Sequence, residues 1–175
     1  MCLFSILIFT MPEKKYILNN IIAAKKLQRM AYEIAERNTE GTELILAGIK
    51  DNGYIIAQKI KLLLESIYIE KVSVIAVTLD KKNPKEIQID GAYDINNKVL
   101  ILVDDVANSG KTLTYVLKPF LEFYPEKIQT LVLVERTHKL FPITADYVGL
   151  SVATTLQEHI IVEVINGEIS GAYLI

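Results

Sequence analysis

The sequence predicts an α/β fold, with a mainly parallel, open, twisted sheet covered by helices on both faces and a small flap or hood beside it. Three observations lead there. Short apolar runs rich in Val, Ile and Leu, at residues 44–49, 72–79 and 99–103, read as strands buried on both sides. Segments with apolar residues at helical spacing fall between them. Near the C-terminus, Asn166-Gly167 separates two alternating runs, the dipeptide that favours a type I′ hairpin turn. Strands that alternate with helices need crossover connections, and these lay parallel strands side by side under helical layers.

Taken in order, the opening MCLFSILIFT is apolar, yet it is too short to span a bilayer and lacks the basic lead-in of a secretion signal. Residues 1–10 are therefore expected either to be an extension ahead of the domain or to form a short apolar arm packing on a neighbour. Residues 17–38 place Ile21, Ile22, Leu27, Met30, Ala31, Ile34 and Ala35 at helical spacing, with Asn19 or Asn20 as cap. The strand at 44–49 runs into a loop, Gly48 to Gly53, and residues 54–67 return to helical spacing. Residues 80–97 carry Lys81, Lys82, Pro84, Lys85 and Gly91 with little periodicity, so they are expected to be an exposed, mobile flap. A helix is predicted over 109–123, strands over 128–135 and 146–152, and the hairpin over 160–165 and 168–174. With no repeat and no Gly/Ser-rich linker, residues 11–175 are expected to be one domain.

Composition narrows the class of function. The 175 residues are 51% hydrophobic and 23% charged, ordinary values for a globular chain. A net charge of -2 and a pI near 5.8 supply no overall positive field to gather polyanions. A single cysteine, Cys2, excludes an internal disulfide and a cysteine-based zinc cage and fits a reducing, cytoplasmic address.

The segment that carries chemistry is Val99-Leu100-Ile101-Leu102-Val103-Asp104-Asp105-Val106-Ala107-Asn108-Ser109-Gly110-Lys111-Thr112-Leu113. In open α/β sheets ligands bind at the carboxyl ends of strands. Two adjacent acids after five apolar residues are costly to bury, so Asp104 and Asp105 are expected to face an opening. The turn from Ala107 through Asn108, Ser109, Gly110 and Lys111 to Thr112 offers backbone amides, two hydroxyls and a helix N-terminus, which together hold a phosphate. A ribose 5-phosphate suits both halves, its hydroxyls donating to the acids and its phosphate accepting in the turn. Gly110-Lys111-Thr112 does not make a nucleotide-binding P-loop, because the required glycine five positions earlier is Asp105. The plainer alternative is an ordinary strand-to-helix turn with a capping serine.

These residues resemble the type I phosphoribosyltransferases, whose fingerprint is an apolar strand, two acids and a turn ending Thr-Gly-x-Thr; Ser109 stands here for the first Thr. Residues 31–38, 48–57 and 133–149 are similar to the bifunctional pyrimidine-operon attenuator and uracil phosphoribosyltransferase group. The resemblance implies transfer of ribose 5-phosphate from phosphoribosyl pyrophosphate to a nucleobase, uracil first and hypoxanthine or guanine second. It implies Mg²⁺ carried largely by substrate oxygens near Asp104 and Asp105, and a homodimer or larger assembly. It also implies a pyrophosphate loop, Lys50-Asp51-Asn52-Gly53, with a strained peptide bond at Lys50-Asp51. Asn52 replaces the group's usual arginine, and Asp80-Lys81 replaces its usual Tyr-Arg pair, leaving Lys81, Lys82 or Lys85 to close the site.

Arg136 and His138, in Glu135-Arg136-Thr137-His138-Lys139, resemble the group's Asp-Arg-Gly-His-Arg and read as site-lining, against a solvated basic loop. The 145–149 segment resembles the base-recognition stretch, with Tyr147 either stacking on the base or packing in the core and Val148 offering backbone groups. RNA binding in the group relies on polar and basic positions on the first helix and around the Arg-His loop; here these are Gln28, Tyr32 and Arg37, then His138, Lys139, Thr144 and Leu150, with several cations missing, which weighs against an RNA-regulatory role. A nucleotide-sensing regulator with weak turnover is the alternative that Asn52 and the altered flap suggest.

Overall fold

The structure, a computed structural model, describes residues 14–38, 41–80, 86–91, 93–153 and 158–175. The expected extension and the lysines at 81, 82 and 85 lie outside the described residues. The chain runs β1 (Lys15–Asn19), α1 (Asn20–Arg37), β2 (Leu44–Ile49), α2 (Asn52–Leu64), β3 (Val72–Leu79), β4 (Ile87–Asp90), β5 (Val99–Ala107), α3 (Lys111–Phe120), β6 (Lys127–Arg136), β7 (Tyr147–Val152), β8 (Ile160–Ile165) and β9 (Glu168–Leu174).

Six strands form the main sheet in the order β4-β3-β2-β5-β6-β7, parallel except for β4. One face buries Leu44, Leu46, Ile101 and Val103 against Met30 and Ile34 of α1 and Ile56 and Ile60 of α2. The other buries Ile45, Leu100 and Leu102 against Leu113, Val116 and Phe120 of α3. Alternate residues of one strand serve two cores, so β2 and β5 read as unbroken apolar runs.

The helix expected from residue 17 begins at Asn20 instead. Ile17 and Leu18 belong to β1, and Asn19 ends that strand by accepting a hydrogen bond from the Ile22 amide (2.9 Å) through its side chain. Ile21 and Ile22, counted on the apolar face, are exposed; Ala23, Leu27, Met30, Ala31 and Ile34 are the buried ones. The expected flap contains β4, whose half-buried Ile87 and Ile89 alternate with Gln88 and Asp90 along the edge of β3. Ile95, also placed in that excursion, is fully buried.

At the C-terminus the predicted hairpin is present, with Asn166 at φ 52° and Gly167 at φ 76°, the two positive values a type I′ turn requires. β1 pairs antiparallel with β9, giving a separate three-stranded sheet of order β1-β9-β8. This sheet is the hood.

β2 and β5 stand at the topological switch point, where successive strands go opposite ways across the sheet. Their pairing ends at Gly48↔Val103, whereas β5 keeps its ladder with β6 as far as Ala107↔Glu135. The strand expected to stop before its acids therefore continues through them. β2 has ended by then, and the start of α2 packs there instead of a strand: Asp105 is left half-buried, whereas Asp104, expected to face an opening, is buried because Gly53 lets α2 approach its backbone.

Candidate active site

Asp104 is almost fully buried, and its Oδ1 accepts from the Asp105 amide at 2.9 Å. Asp105, half-buried, accepts from the Val106 amide through Oδ1 and from Asn52 Nδ2 through Oδ2, both at 2.9 Å. Asn52 Nδ2 also donates to the Val162 carbonyl of β8 (3.0 Å), so one side chain joins α2, the β5 acids and the hood. The close approach depends on Gly53: a Cβ there would lie 2.6 Å from the Val103 carbonyl oxygen and 3.1 Å from Asp104 Cα. Only glycine lets α2 begin this near the acids.

The loop between β2 and α2 carries a cis Lys50-Asp51 peptide, at the bond the resemblance singled out. Lys50, Asp51, Asn52, Leu79 and Asp105 line a pocket of about 320 Å³. Lys50 Nζ lies 2.7 Å from Asp90 Oδ2 on β4, and that hydrogen bond holds its ammonium above the usual lysine range. The structure thus brings Lys50, Asp51, Asn52 and Gly53 against the end of β5.

Beyond β5 the chain turns at Gly110, whose φ of 80° is a left-handed conformation that side chains disfavour. Asn108 is exposed, Ser109 half-buried, and Lys111 and Thr112 open α3. Ser109 Oγ accepts from the Lys111 amide (3.3 Å). Acids and turn are continuous in the chain at the same end of the sheet, with Asp105 at the pocket and Asp104 buried.

Other expected residues lie differently. Arg136, at the end of β6, donates to the Glu158 carbonyl ahead of β8. His138 is exposed. Tyr147 corrects the stacking expectation: its ring is fully buried beneath Arg37, and its hydroxyl accepts from Asn38 Nδ2 (3.3 Å). The reason is register. Tyr147 pairs with Leu131 and shares that residue's face, toward α1, where a phenol can be buried because Asn38 and Gln129 supply polar partners. The Val148 carbonyl accepts from Arg29 Nη2 of α1 (2.5 Å), so that backbone acceptor is already engaged.

Sequence reasoning missed Leu79, Val162 and the buried Asn38–Gln129–Tyr147 set. It also missed Lys139, which donates to the Ala107 carbonyl (3.1 Å). No local pattern marked the last, because Glu135 lies in β6 and Lys139 in the loop after it.

Residues 14–164 match the family described as "Phosphoribosyl transferase domain". The chain is 36% identical to the bifunctional protein PyrR of Streptococcus uberis over 160 residues, covering 87% of this chain and 91% of that one. To the PyrR of Clostridioides difficile it is 36% identical over 171 residues, 92% and 96% of the two chains. In fold it is similar to the hypoxanthine phosphoribosyltransferase of Trypanosoma cruzi, with a TM-score of 0.76, 15% identity and 91% and 95% coverage. It is also similar to a hypoxanthine-guanine phosphoribosyltransferase of Bacillus anthracis, with a TM-score of 0.73, 17% identity and 93% and 97% coverage. A family domain over most of its length, on a sheet whose central strand carries paired acids and runs into a glycine turn, makes this chain a member of the phosphoribosyltransferase family.

Proposed function

We propose that this chain transfers ribose 5-phosphate from phosphoribosyl pyrophosphate to a nucleobase nitrogen, with uracil as the first acceptor. The observation that supports the reading is the overrun of β5 past β2, which sets Asp105 at the pocket beside the 50–53 loop, with Asp104 buried next to it, and leads directly into the left-handed turn at Gly110. The acids accept from the ribose hydroxyls, and the turn from Ala107 to Thr112 receives the 5-phosphate. The loop from Lys50 to Gly53 faces the leaving pyrophosphate.

The bond from the anomeric carbon to pyrophosphate oxygen breaks, its electron pair leaves with pyrophosphate, and the base nitrogen forms the new bond as its N–H proton is released to water. The chain's part is positioning and water exclusion, with Asp104 and Asp105 negative where the sugar gains positive charge. Mg²⁺, when bound, neutralises charge on the leaving group. Carboxylate oxygens suit it, and no three acidic or histidine side chains converge among the described residues, so substrate and water would complete its shell.

Uracil rests on the resemblance of residues 31–38, 48–57 and 133–149. A second reading, a nucleotide sensor with weak turnover, draws on Asn52, which places a neutral amide beside Asp105. Labelled phosphoribosyl pyrophosphate with Mg²⁺ and a panel of uracil, hypoxanthine and guanine decides between them. Uracil-dependent release of pyrophosphate supports the enzyme. Binding without release for any base overturns it in favour of the sensor.

A further inference from the structure

An anion cradle made of peptide groups works only if the carbonyls, the negative ends of the peptide dipoles, are directed away from the ligand. In the turn after β5 they are held by protein donors. The Gly110 carbonyl accepts from the Thr114 amide (3.1 Å) and Oγ1 (2.9 Å). The Ser109 carbonyl accepts from the amides of Leu140 and Phe141, both at 3.0 Å. The Ala107 carbonyl accepts from Lys139 Nζ at 3.1 Å. Two of these three anchors come from the loop after β6, which lies behind the turn.

Lys139 is the only side-chain cation among those anchors. Its side chain is 15% exposed, and a lysine so far removed from water needs a counter-charge. Glu135, 12% exposed and near the end of β6, supplies it: Oε1 lies 2.8 Å from Nζ, an ion pair outside hydrogen-bond alignment. Because Glu135 balances the charge, what Lys139 delivers to the turn is a directed hydrogen bond on one carbonyl.

We propose that Lys139, fixed by Glu135, is a positioning residue that draws the Ala107 carbonyl back and so orients the phosphate turn. The proposal rests on the reading of that turn as the 5-phosphate site. Calorimetry with ribose 5-phosphate as the probe tests it. The wild-type protein binds, and Lys139→Met weakens binding about tenfold, the usual size of a lost charge-assisted hydrogen bond. Lys139→Arg, which keeps a donor for both partners, recovers most of the loss, and Glu135→Gln shows a smaller loss in the same direction. In turnover the Lys139→Met effect appears in KM for phosphoribosyl pyrophosphate with kcat nearly unchanged, a split that simple loss of stability does not produce.

Unchanged affinity in Lys139→Met beside a binding wild type overturns the positioning role and leaves the phosphate site standing. If that variant fails to fold, unchanged affinity in Glu135→Gln overturns the role equally. Failure of the wild type itself to bind ribose 5-phosphate removes the site and the role together.

Discussion

Asp105 binds its own strand through one carboxylate oxygen and Asn52 through the other, so its orientation is set before any ligand arrives. Replacing both acids, Asp104→Asn with Asp105→Asn, keeps the shape and removes the charge. Turnover is expected to fall at least about 100-fold, the scale of losing groups aimed at a developing charge. The thermal midpoint should stay within a few degrees. Tyr147 gives the opposite pattern, stability without activity. Tyr147→Phe removes one buried hydroxyl contact to Asn38 and should cost about 1 kcal/mol in denaturant unfolding. Burial holds the Tyr147 phenol above its ordinary value. A raised folded value means this contribution is complete below about pH 10 and fades as pH rises through the folded value, a part of the alkaline loss that the Phe variant should lack. At this scale the sequence showed the acids and the glycine turn, because two carboxylates after five apolar residues have few affordable surroundings. It could not show which way Tyr147 faces, since that follows from its pairing with Leu131.

The element that fixes the geometry is the start of α2. Gly53→Ala places a Cβ against the backbone of Val103, where nothing flexible can give way. It should cost about 1–3 kcal/mol by equilibrium unfolding and lower turnover as well, because Asn52 and Asp105 move apart. An unchanged unfolding midpoint would mean that α2 does not sit this close to β5. β2 and β3 run over the residues their apolar patterns marked, since each run is bounded by charged or turn residues. β1 and β4 were not legible: each is a short edge strand whose partner, β9 or β3, is recognised only in three dimensions. The end of β5 was misplaced for a related reason. Its last residues keep strand geometry through the ladder with β6, which no local pattern announces.

At the scale of the whole molecule, the parallel sheet presents the site and the small antiparallel hood meets it through Asn52 and Val162. Lys14 Nζ donates to Glu163 at 2.8 Å, tying the start of β1 to β8 and holding the Glu163 carboxyl below its ordinary range. A depressed folded value contributes stability above the unfolded carboxylate pKa, near 4.3, and loses it as pH falls through the folded value. Hydrogen exchange should therefore show β1 opening earlier in acid than the main sheet, and Lys14→Met should flatten that difference. The pair is solvent-accessible, so the effect is small. A ribose phosphate is expected to lodge where β5 outruns β2. A crystal structure with ribose 5-phosphate tests it most directly. The sugar hydroxyls are expected on Asp104 and Asp105 and the phosphate on the amides of the 108–112 turn; a ligand bound elsewhere, or a crevice closed by protein, would refute this placement.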